Sequence, residues 1–203
     1  SGELDLALEV VAQSDETNRQ NNLEVRHVSV REEKIRVLLV DGPPRYEFRY
    51  LKQLFERDKS TELSTLLQDA DLEYSQEDKT ALEHFPVRKE DLAKYDIIIF
   101  GDATPTTLGA SVQENIRDFV REKGGSVVFI AGAQSNPVSF AGTPLASLLP
   151  FEPGNVRGAA ETASYDSFHP VLTLEGQKGN SIFRLGDGEA DSLRIWNGLP
   201  SLY

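Results

Sequence analysis

The sequence predicts an α/β domain built on a parallel sheet with helices on both faces, preceded by an antiparallel β-hairpin. Three observations carry this expectation. Short apolar runs at residues 35–40, 96–100 and 126–131 have strand length and read as strands covered on both faces. Between them lie segments whose apolar residues recur at helical spacing, and such alternation implies crossover connections and a parallel sheet. The first thirty residues differ, because their apolar and polar residues alternate one by one. At 203 residues, 39% hydrophobic and 27% charged, the chain can fill one medium domain with a small appendage.

Leu4, Leu6, Leu8 and Val10 have the two-residue period of a half-buried strand. The polar stretch 14–22 reads as a long hairpin loop, and strand character resumes over 23–30. There Leu23 and Val25 point to one face and Val28 and Val30 to the other, which suggests a bulge. Two strands alone are marginal in water. Residues 1–33 are therefore expected to be the last hairpin of a β-sandwich domain, and residues 34–203 the α/β domain. The chain opens Ser1-Gly2 without methionine, and we read it as a piece of a longer protein.

Within the second segment, Asp41-Gly42-Pro43-Pro44 is a tight turn, with Pro44 suited to the first position of a helix. Phe48, Leu51, Leu54 and Phe55 form a helical stripe ending near Asp58. Residues 62–67 read as a second strand and 69–83 as a polar connector. Val112, Ile116, Phe119 and Val120 make the next helical face, closed by Gly124-Gly125. After the strand at 126–131 comes a loop of small and polar residues, 132–142. Beyond Phe151 the pattern weakens: a strand is expected over 171–174, a short helix or strand over 181–185, and Trp196 against the sheet edge.

Composition excludes several functions. With 33 acidic against 21 basic residues the net charge is −12 and the pI near 4.7, which disfavours nucleic acid and anionic membranes. There is no cysteine, so disulfides, thiolate metal sites and cysteine nucleophiles are absent, and the redox compartment cannot be read. His27, His84 and His169 have no metal-ligand spacing. No apolar stretch approaches the roughly 20 residues that cross a bilayer.

Chemistry in such sheets gathers where strand order reverses, beyond the carboxyl ends of the strands. With a flavodoxin-like order, Asp41 and Asp102 face one crevice, with Arg45, Gln134, Ser135 and Asn136 as further candidates for binding a ligand there. Two close carboxylates can share a proton or hold magnesium, although an Asp at a strand end more often caps a turn. Residues 35–41 look like the first strand of a receiver domain, but Gly42 stands in place of the second acid and Gly101 in place of the acceptor. The Asp-Gly-Pro-Pro turn lacks a phosphate-loop pattern. Arg45 and Arg49 read as partners of Glu47 on a solvated face. Residues 186–191 carry three acids without the spacing of a calcium loop and read as a turn.

One resemblance spans nearly the whole chain. Asn21-Asn22, then the strand 35–41, then Gly42, Pro44-Arg45-Tyr46-Glu47-Phe48-Arg49-Tyr50-Leu51, resemble a family of bacterial glutamine amidotransferase-like domains. These occur in large membrane proteins that also carry a von Willebrand factor A domain. Residues 95–101, 124–132, 172–176 and 196–200 look like its later blocks. The resemblance implies a class I amidotransferase fold, a flavodoxin-like three-layer sandwich, beside an immunoglobulin-like β domain. It implies partners in an upstream β-sandwich and a von Willebrand factor A domain. The position it implies is outside the cytoplasmic membrane, with no direct membrane contact by this segment.

Active glutaminases of that fold carry a cysteine on a sharp turn after a central strand, with a late His-Pro-Glu. Here the turn is Ile130-Ala131-Gly132-Ala133-Gln134, and the nucleophile place falls on Gly132 or Ala133. Ser135 lies past the elbow, and His169-Pro170 is followed by Val171 rather than an acid. Without a nucleophile, covalent catalysis is lost. The expected function is a non-catalytic amidotransferase-like module for ligand recognition or protein–protein assembly, with no cofactor or metal. The alternative is a hydrolase using Asp41, Asp102 or His169 with water or a divalent metal. A third possibility is that the loop 132–142 fills the crevice and leaves a purely structural domain.

Overall fold

The computed structural model describes residues 2–11, 14, 22–30, 33–71, 73–155, 167–178 and 181–201. It divides into two compact units, Ser1–Gly158 and Ala159–Tyr203. Asn21 and most of the hairpin loop expected at 14–22 lie outside the described residues.

The first unit holds two separate sheets. Strands β1 (Gly2–Glu9) and β2 (Leu23–Val30) pair antiparallel from Gly2↔Val30 to Glu9↔Leu23 in one unbroken register. The expected bulge is absent. Leu4, Leu6 and Leu8 therefore share a face with Val28, while Leu23 and Val25 lie on the other with Ala7. All six of these larger apolar side chains are exposed, so no single buried face demands a uniform pattern.

The second sheet is parallel, in the order β4-β3-β5-β6: β3 is Ile35–Asp41, β4 Thr61–Leu67, β5 Ile97–Phe100 and β6 Ser126–Phe129. Val37 pairs with Leu63 on one side and Ile97 on the other, which makes β3 central. Such an order is compatible with a flavodoxin-like layout. Asp96, just before β5, accepts from the Arg36 backbone N–H at 2.8 Å and from its guanidinium at 2.9 and 3.1 Å, fixing β5 against β3.

Alternation along the buried strands makes two cores. On one face Val37, Leu39 and Ile99 pack with Phe48, Leu51 and Phe55 of helix α1 (Tyr46–Arg57). Each fully buried side chain of this size contributes about 1.5–3 kcal/mol. On the other face Leu38, Val40, Ile98 and Phe100 pack with Ile116 and Phe119 of the helix at Gly109–Lys123. That face also takes Phe140 and Leu145 from two 3₁₀ turns, and Phe140 lies 5.3 Å from Phe129 and 6.1 Å from Phe100 between ring centroids. Gly124 ends the helix in the left-handed region at φ 70°, as its position in the sequence predicts.

Four local expectations are corrected. Pro44 precedes α1 rather than opening it, since Arg45 is the cap. The 126–131 run forms a strand only to Phe129, and it is an edge strand: Val127 and Phe129 face the core, whereas Ser126 and Val128 are exposed. The polar connector contains a short helix, Tyr74–Glu77, and returns to bridge β4 at Thr65↔Ala81. No strand forms over 171–174, because the Thr173 hydroxyl caps the helix Leu174–Gln177 by accepting from Gly176 N–H at 3.1 Å.

In the second unit Trp196, on the helix Glu189–Asn197, donates to the Phe183 carbonyl at 2.8 Å and meets its ring edge-on at 6.2 Å. Both of these contacts lie within the second unit. Asp191 pairs with Arg194 at 2.7 Å on the same helix, so the expected turn is confined to 186–188 and the acids Glu189 and Asp191 belong to the first turn of the helix.

Truncating Phe140 tests whether the irregular segment belongs to the core. Phe140→Ala is expected to cost about 3–5 kcal/mol of unfolding free energy in a urea titration.

Candidate functional site

The chain leaves β3 toward β4 on one side, then returns to place β5 on the other. The reversal sits between β3 and β5, and their carboxyl ends bring Asp41 and Asp102 together as the strand pattern predicts. Both side chains are buried.

Asp41 Oδ1 accepts from the backbone N–H groups of Gly42 and Asp102, each at 2.9 Å, and from Arg45 Nε at 3.1 Å. Its Oδ2 accepts from Arg45 Nη2 at 3.1 Å. Arg45 sits four residues on, just before α1, so one helical entry carries both the turn and its counter-ion. The guanidinium is largely buried in this pairing, not spread on a solvated face as its spacing suggested. Its Nη1 lies 3.6 Å from Glu47. Arg49 instead lies over the Tyr46 ring, 6.0 Å from its centroid.

Asp102 receives three backbone donors from the loop after β6. Gln134 N–H reaches Oδ2 at 2.8 Å, and Ser135 and Asn136 N–H groups reach Oδ1 at 2.7 and 2.9 Å. Burial by itself would raise this carboxyl. The three amides, with the Arg45 charge nearby, outweigh it and hold the group below its ordinary value. The Asn136 side chain donates to the carbonyls of Phe100, Gly101 and Ile130, at 3.3, 2.9 and 3.1 Å, and ties the loop to the ends of β5 and β6.

Two glycines make room for these acids. A Cβ on Gly101 would stand 2.1 Å from Asp41 Oδ2, and one on Gly132 would stand 2.1 Å from Asp102 Cγ. At both, the space a side chain needs is held by a neighbouring carboxylate. Gln68, one residue beyond β4, adds a third strand-end clamp: it accepts from Thr104 N–H at 2.8 Å and donates to the Thr104 carbonyl at 2.9 Å.

Above these bonds lies an open cleft of about 620 Å³. Pro43, Arg45, Tyr46 and Glu47 form one wall, and Asp102 with residues 131–134 the other. Of the predicted site residues, Arg45, Asp102 and Gln134 line it. Asp41, Ser135 and Asn136 stand behind it as hydrogen-bonding framework. His169 belongs to the second unit, where its Nε2 lies 3.0 Å from Ser201 Oγ. Tyr46, Glu47 and Gln68 were not among the predicted site residues. The signal for Gln68 was available, since it follows its strand as Asp41 and Asp102 end or follow theirs. Among the described residues, no three His, Asp or Glu side chains are grouped to hold a metal ion.

Comparison with protein-family models, curated proteins and solved structures yields no match for this chain.

Asp102→Asn turns an acceptor toward three amides into a group that presents N–H to at least one of them. The expected loss is about 2–4 kcal/mol near neutral pH. Because the folded carboxyl lies below its unfolded value, its stabilisation is complete above about pH 4 and fades as pH falls through the folded value. Urea titrations across pH should therefore show the variant's deficit shrinking toward pH 2, and a constant deficit would contradict this account. Gly132→Ala should lower the thermal midpoint far more than Ala133→Ser, one position along the same loop.

Proposed function

We propose that this chain is a non-catalytic glutamine amidotransferase-like module, serving ligand recognition or protein–protein assembly through the strand-end cleft. The observation that carries this reading is the Asp102 carboxylate. It takes the donors of the post-β6 loop for itself and fills the space beside Gly132, one of the two places for an attacking side chain, while the other holds Ala133, whose methyl cannot attack. A low-lying carboxyl saturated by amides is also a poor general base at neutral pH. Asp41 is likewise committed, to Arg45 and two amides. The open cleft supports recognition over a purely structural role, because the loop 131–134 forms its wall instead of filling it.

The parent protein, on this reading, is a bacterial membrane protein with von Willebrand factor A and β-sandwich domains, and the hairpin β1–β2 belongs to the latter. The resemblance supports this, and with it an extracytoplasmic position. Among the described residues, no helix is long and apolar enough to cross a membrane.

The test pairs binding with activity. Thermal unfolding is followed with glutamine, other amino acids, nucleotides, sugars and divalent metals. A cleft ligand at a hundred times its dissociation constant adds about 2.7 kcal/mol. That gain is expected to vanish in Ala133→Trp, which fills the cleft from an exposed position. Ammonia release from glutamine, or ester or amide hydrolysis abolished by Asp102→Asn, would overturn the proposal in favour of the hydrolase.

A further inference from the structure

Helix α1 has a second face that the sheet does not use. Phe48, Leu51 and Phe55 point inward, yet Tyr46, Tyr50 and Leu54, spaced four apart, are 75%, 71% and 61% exposed. On a helix of 3.6 residues per turn these three, with Glu47 and Arg57, fall within an arc of about 100°. A solvated face of twelve residues is ordinarily polar. This one presents two tyrosines, a leucine and an arginine, the residue types that anchor protein interfaces or fill their cores.

The charges decide what fits there. Glu47 stands in the first turn and Arg57 in the last. Arg57 has no carboxylate partner among the described residues, and Glu47 has only the 3.6 Å approach of Arg45. A uniformly acidic or basic partner would set like charges against one end of the face. A second copy of the same helix running antiparallel satisfies both ends. Centred level with Lys52, it sets Tyr50 against Leu54 of the second copy, Leu54 against its Tyr50, and Glu47 and Arg57 each against the other's counterpart. We propose that α1 is the contact of a twofold homodimer, with the Tyr50–Leu54 ridge at its centre and reciprocal Glu47–Arg57 pairs at its rim. One helix face is a small interface and the net charge of −12 opposes association, so the dimer belongs to the weak, concentration-dependent class. The face shares Tyr46 and Glu47 with the cleft wall, but association does not require a ligand in the cleft.

Sedimentation velocity of the full chain from about 5 to about 500 µM, in roughly 0.15 M salt, is the test. Monomer mass should give way to dimer mass over that range. Tyr50→Glu should remain monomeric throughout while keeping the wild-type melting curve, since the side chain is exposed. Glu47→Arg and Arg57→Glu should each weaken association about tenfold, and the double reversal should return it to within about twofold of wild type. A wild type that stays monomeric overturns the proposal. So does a dimer indifferent to Tyr50→Glu, or a double reversal no tighter than the singles.

Discussion

Two carboxyl side chains buried at the ends of adjacent strands, Asp41 and Asp102, govern how this chain is assembled around its cleft. A buried charge costs several kcal/mol unless partners replace its hydration. Asp41 and Asp102 meet that demand differently. Asp41 draws in the arginine four residues along the same chain, together with the first amides of its own turn and the next strand's loop. Asp102 draws in three successive amides from a loop more than thirty residues away. The first pairing shapes the entry to α1. The second folds the segment after β6 back over the sheet, and Asn136 fastens it there through three carbonyls.

The same bonds set the chemistry of the cleft. Loops of consecutive amides after a strand are the part of an α/β fold that usually meets a ligand's negative charge. Here an internal carboxylate occupies them. The polar groups left to a ligand are those at the rim, Tyr46, Glu47 and Gln134, with Arg45 already engaged by Asp41. Such a rim fits the proposed role in recognition by shape and hydrogen bonding.

Helix α1 joins these themes. Its inner stripe seals one core, its preceding residue neutralises Asp41, its first turn walls the cleft, and its outer stripe is aromatic where solvent should prefer charge. Periodicity shows the inner stripe because burial imposes a 3.6-residue repeat. The outer stripe keeps the same repeat, so spacing alone grouped Leu54 with Phe48, Leu51 and Phe55, whereas Leu54 is exposed and belongs to the outer face. It becomes evident only when Tyr46, Tyr50 and Leu54 are found uncovered on the side opposite Phe48.

What the sequence by itself determined is the arrangement of the parallel sheet. Runs such as 35–40 and 96–100 can be buried only as covered strands, and the helical spacing between them leaves few other topologies. The meeting of Asp41 and Asp102 followed from that order, as did the nearness of Gln134, Ser135 and Asn136. The register of the hairpin was decided elsewhere, since two exposed faces impose no pattern for sequence to record. The retreat of 171–174 from a strand turned on one threonine hydroxyl capping a helix. Only the tertiary structure decided the fate of the two acids. A carboxylate's role depends on which donors reach it and how much water is excluded, and those donors are backbone amides. Backbone amides are identical at every residue but proline, so sequence cannot mark which of them will converge on Asp102.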